Sequence, residues 1–176
     1  VAALNLMDIP TSSSCGGHIG ERFNFPYLMG KAEGRPKYKF PGQREILEDL
    51  AQEHSLPVEE LEDRLYKYPE IERKFWNYIH EHDIHTTDEY IGWLVETKRL
   101  EEKLRLLLEE FNTDKADALL HMMPMGDGYR VESNDEKEYA HPNELDPAVA
   151  TEKILKAQKE MQAFTEFLKE KYFQKR

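Results

Sequence analysis

Residues 86–112, TTDEYIGWLVETKRLEEKLRLLLEEFN, decide how the rest of the chain is read. Thr86 is placed to cap a helix, and Glu89, three residues on, is placed to return the bond, which is the capping-box pattern. Tyr90, Trp93, Thr97, Leu100, Leu104, Leu107 and Phe111 then recur at alternating spacings of three and four. A seam of that kind repeats every 3.5 residues or so, the value that keeps one apolar stripe facing a partner helix. A second seam follows near the C-terminal end of the sequence. Asp146 caps it, Pro147 opens it, and Ala150, Ile154, Ala157, Met161, Phe164 and Leu168 line it. Two seams of similar length predict two long helices packed antiparallel, each roughly 40 Å long. Leu100, Leu104 and Leu107 should then meet Met161, Phe164 and Leu168.

Working back from residue 86, shorter helices are expected near 43–54, 57–67 and 69–83. Their apolar positions fall at helical spacing: Ile46, Leu47 and Leu50; Val58, Leu61, Leu65 and Tyr68; Ile71, Phe75, Tyr78 and His82. Pro57 and Pro69 suit first-turn positions. Forward of residue 112, a short helix is expected near 113–123, then a long connection over about 124–146. Within that connection, residues 129–132 and 138–141 read as the two arms of a small hairpin. The fold class predicted is therefore all-α, a helical bundle with two long antiparallel helices and an extended N-terminal arm. Its domains are an arm over residues 1–41 and a helical body over residues 42–176.

The arm stands apart by composition. Six of the nine glycines lie at or before residue 42, and no helical or strand period runs through it. It nevertheless holds Phe23, Phe25, Tyr27, Leu28, Met29 and Phe40. Apolar side chains without a periodic face want a surface to lie on, and these six are the expected partner-binding residues.

The chain of 176 residues carries a net charge of −11, with 39% hydrophobic and 34% charged residues. Its core should be thin for its length, and thin cores are often completed against a partner. No apolar run reaches the roughly 20 residues of a membrane helix. The opening segment, Val1 to Leu6, lacks the basic flank and long apolar stretch of a signal peptide. Cys15 is the single cysteine, so no internal disulfide is expected, and a cytoplasmic or other reducing compartment fits.

Several constellations carry possible chemistry. His80, His82 and His85 lie beside Asp83, Asp88 and Glu89, residue types that hold zinc or iron. His80 and His82 would point to opposite sides of a helix, leaving His82 and His85 as the candidate metal ligands. Cys15-Gly16-Gly17-His18 is half a zinc pattern, or a thiol and a base joined by a spacer that does not preorganise them. Glu138 and His141 imitate half of a di-iron motif, and Asp117 and His121 form an i, i+4 pair. Gly34-Arg35-Pro36-Lys37 has the look of a minor-groove hook, and residues 46–65 have helix-turn-helix length. The second helix of that hairpin would present Glu59, Glu60, Glu62 and Asp63 to phosphates, which argues against nucleic acid. No phosphate loop, nucleophile elbow or dinucleotide fingerprint occurs.

These observations point first to a non-catalytic accessory or structural subunit, without a cofactor, that joins other protein subunits in an oligomer through the arm and a helical surface. A helical metal-dependent enzyme using histidine and carboxylate ligands is the second reading. A DNA-associated module is the third.

Overall fold

The structure, a computed structural model, describes residues 2–20, 24–113, 115, 118–133 and 145–174. Helix accounts for 60% of the described residues and a four-stranded antiparallel sheet for 13%, so the fold is mixed rather than all-α. In chain order the elements are α1 (Ala2–Leu6), β1 (Ser13–Cys15), β2 (Tyr27–Gly30), α2 (Gln43–His54), α3 (Val58–Arg64) with a 3-10 turn at Leu65–Lys67, α4 (Pro69–Glu81), α5 (Asp88–Asn112), β3 (Leu120–Met125), β4 (Gly128–Ser133) and α6 (Pro147–Gln174). They form two compact units, one of Gly34–Trp93 and one of Val1–Glu33 with Leu94–Arg176. Helix α5 contributes residues to both. Among the described residues no helix is long and apolar enough to cross a membrane.

The smaller unit is helical. The Gln43 side chain accepts the backbone N–H groups of Lys39 at 2.8 Å and Phe40 at 3.2 Å, which sets the entry to α2. Ser55 ends that helix in the left-handed region, at φ 54°, and its N–H bonds back into the last turn. Phe40, Ile46, Leu47, Ala51, Leu61, Ile71, Phe75 and Ile79 make the core. The Thr86 cap expected for α5 sits one residue later. Thr87 Oγ1 accepts the Tyr90 N–H at 3.2 Å, and the helix starts at Asp88.

The larger unit holds the sheet, ordered β1-β2-β4-β3. Its strands pair Leu28 with Val131, and Val131 with Met122. Side chains alternate across a pleated strand, so Leu28, Tyr129, Val131, Leu120 and Ser133 share the inner face, and all are buried. Ala3 and Leu4 of α1 are buried as well, and so are Ala150, Ile154, Ala157, Phe164 and Leu168 of α6. Asp146 caps α6 by accepting the Ala148 N–H at 2.9 Å.

Three expectations are corrected here. The arm is not extended, because it folds as α1, β1 and β2 and supplies half of the sheet. None of the described residues in the stretch 113–123, expected as a short helix, is helical, and Leu120 to Met125 form a strand. The strand at 129–132 pairs backward with β3 through a two-residue loop, Gly126-Asp127, whereas its expected partner at 138–141 lies outside the described residues. The cause is common to all three. Strands of three to six residues carry little periodic signal, and β2 finds its partner β4 about a hundred residues away.

The α5 seam also shifts. Its buried line is Thr97, Leu100, Leu104 and Leu108, with Leu107 only half-buried. That drift follows the 3.6-residue turn of a straight helix rather than a supercoil. The ring contacts between the long helices lie at the end of α5, where Phe111 meets Phe164 at 5.0 Å and Phe167 at 5.5 Å. Leu104 is fully buried. Replacing it with alanine should cost about 2–5 kcal/mol in urea denaturation, and a loss below about 1 kcal/mol would contradict this packing.

Candidate functional site

Helices α2 and α4 pack together in the smaller unit and leave a groove of about 320 Å³ between them. Its walls are two stripes at i, i+3, i+4 and i+7 spacing. Ile46, Asp49, Leu50 and Glu53 come from α2, and Lys74, Asn77, Tyr78 and Glu81 from α4. Residues so spaced lie on one face of a helix, so both helices turn a single mixed face to the opening. Ile46 and Leu50 form an apolar floor, with Tyr78 beside them. Tyr78 is 42% exposed, and its ring is held by stacking on His82 at 4.0 Å. The rim is acidic. Glu53 is paired with Lys74 at 2.5 Å, which holds its carboxyl below the usual range, while Asp49 and Glu81 are exposed with no ion pair among the described residues.

The second feature is the outer face of the sheet. Register places Cys15, Tyr27, Glu132 and His121 in one row across the four strands. The Glu132 side chain is only 3% exposed. Arg130 Nε lies 2.5 Å from its Oε2, and His121 Nε2 lies 3.4 Å from its Oε1. The Arg130 guanidinium also sits 4.5 Å from the Tyr27 ring centre. Burial raises the Glu132 carboxyl above its ordinary range, and Arg130 offsets that only in part. A buried acid compensated by a guanidinium is expensive to break, so the cluster works as a register lock for β2, β4 and β3.

Of the six expected partner-binding residues, Phe23 lies outside the described residues. Phe25, at 1% exposure, packs on Ile154 and Ala157. Leu28 is in the inner face of the sheet, and Phe40 is in the core of the helical unit. Tyr27 and Met29 are half-buried on the outer face. Of the five described, Phe25, Leu28 and Phe40 are therefore core residues, and Tyr27 and Met29 alone reach the outer face of the sheet.

His82, the C-cap of α4, is exposed, with Nδ1 3.0 Å from the Tyr78 carbonyl, and is not the core residue its place in the stripe suggests. His85 is 83% exposed and 3.5 Å from Asp83. Among the described residues, no group of three or more His, Cys, Asp or Glu side chains is placed to hold a metal. His121 is on a strand rather than a helix, and Asp117, Glu138 and His141 lie outside the described residues. In the Gly34–Lys37 stretch, Arg35 lies over the Tyr90 and Trp93 rings, and Lys37 pairs with Glu62 at 2.9 Å, so both cations are turned to this chain.

The groove has a signature in the sequence that a single apolar stripe does not reveal. On α4 the buried line is Ile71, Phe75 and Ile79, and Tyr78 lies beside that line, not on it. An aromatic one position off the core stripe marks a second face. Compared with known protein families, with characterised proteins and with solved structures, the chain matches none.

Proposed function

We propose that the chain is a non-catalytic accessory subunit that binds another protein through the α2–α4 groove. The observation that carries this reading is the exposed, stacked Tyr78 on an apolar floor of Ile46 and Leu50. Two helices with open i, i+3, i+4, i+7 stripes form the receiving half of a helix-in-groove contact. Tyr78 has the character of an interface anchor, a large apolar body with few rotatable bonds and a polar tip. Phe25, Leu28 and Phe40 are buried in the chain's own cores and are not lining residues of this groove.

A photo-crosslinking amino acid placed at Tyr78 tests the reading in cells of the protein's own source. A discrete crosslinked adduct is expected from position 78. None is expected from Tyr66, which is 67% exposed but outside the groove. No adduct at 78, or the same adducts from both positions, overturns the assignment.

A further inference from the structure

We infer that the groove takes a cationic amphipathic helix, one that presents apolar residues to Ile46, Leu50 and Tyr78 and lysine or arginine to the acidic rim. The inference rests on the reading of the groove as a protein contact and adds the chemistry of the partner. The shape argues for a helix. The walls are two stripes of residues at helical spacing on adjacent helices, and the element that completes such a packing is a rod with its own i, i+3, i+4, i+7 apolar line. The charge argues for a basic one. Asp49, Glu53 and Glu81 line the groove against one cation, Lys74, and that cation is already held by Glu53 at 2.5 Å and lies 3.1 Å from His54 Nε2. Asp49 and Glu81 stand at the edge without ion pairs among the described residues. An anionic or purely apolar helix would desolvate both carboxylates with nothing in return, whereas a cationic flank pairs with them and is steered in by the field of the rim.

The test uses the full chain and a fluorescein-labelled peptide with leucine at i, i+3, i+4 and i+7 and lysine elsewhere, followed by fluorescence anisotropy. A second peptide carries glutamate in place of every lysine. The double variant Asp49→Lys with Glu81→Lys reverses the rim. The double variant Glu59→Lys with Asp63→Lys makes the same change of charge on exposed positions of α3 outside the groove. All four substitutions fall on surface side chains, and circular dichroism checks that both variants stay folded. Binding of the lysine peptide is expected, with Kd raised roughly tenfold or more by the rim reversal and changed less than about twofold by the α3 reversal. The glutamate peptide should not bind. Equal weakening by both reversals would mean diffuse attraction to an acidic chain and overturns the inference. Binding of the glutamate peptide, or no binding of either, also overturns it. If the lysine peptide fails while crosslinking at position 78 succeeds, the partner chemistry is wrong and the groove remains the contact. Failure of both removes the groove as well.

Discussion

Gly30→Ala will destabilise the sheet-bearing unit by about 3 kcal/mol or more, the sum of an overpacked core position and a broken, partly buried hydrogen bond. A β-carbon on residue 30 would stand 2.3 Å from the Pro10 carbonyl oxygen and 2.5 Å from the Tyr129 hydroxyl. Neither neighbour is free to retreat. The Tyr129 hydroxyl donates to that same Pro10 oxygen at 2.7 Å, directly above Gly30. Tyr129 is itself completely buried, and burial pushes its phenol up to about 12. The methyl group therefore has to part β2 from β4, or part Tyr129 from Pro10. Gly92 provides the contrast. It lies within α5, and nothing comes within 4 Å of the β-carbon it would gain. Gly92→Ala should stabilise by about 0.5–1 kcal/mol through helix propensity alone. Urea denaturation followed by far-ultraviolet circular dichroism reads both changes. Equal effects of the two substitutions would remove the close approach at Gly30 from the account.

Arg130→Met should cost about 3–5 kcal/mol at neutral pH, because it leaves the Glu132 carboxylate buried with its guanidinium gone. The pH dependence separates this cause from simple loss of packing. The carboxyl of Glu132 is raised in the folded chain, so folding takes up a proton there. Stability from such a group is fully present below the unfolded carboxyl range and is lost as pH rises through the higher folded value. Without Arg130 the folded value rises further. The penalty of the variant should thus shrink as pH falls from neutral into the acid range, where the raised carboxyl of Glu132 takes up its proton. A penalty that does not change over that range would assign the loss to packing against Tyr27 and not to charge. Glu132→Gln, which has no proton to bind, should show the flatter pH profile of the two.

Both effects lie in the unit whose architecture was hardest to read from residues alone. The helices were legible because each carries its own evidence. Asp146 and Pro147 announce α6, Pro69 opens α4, and the apolar stripes of α2, α4, α5 and α6 repeat at a spacing set by the helix itself. The candidate groove was half legible. Leu50 and Tyr78 could be assigned to helices, but which side of α4 would face the core depended on the choice between two adjacent apolar lines. His82 was misplaced for the same reason.

Local chemistry, then, decided the helices, their caps and the acidic surface, since a capping bond or a helical stripe is complete within a turn or two of chain. Pairing over long distances decided the rest. Ser13 to Cys15 and Tyr27 to Gly30 have no regular face of their own and become strands only because Gly128 to Ser133 lies alongside them. That pairing turns an apolar arm into core, sends Phe25 and Leu28 inward, and brings Arg130, Glu132 and His121 onto one sheet face. A strand's backbone hydrogen bonds are made to another strand, so the residues that form it do not contain the reason for it.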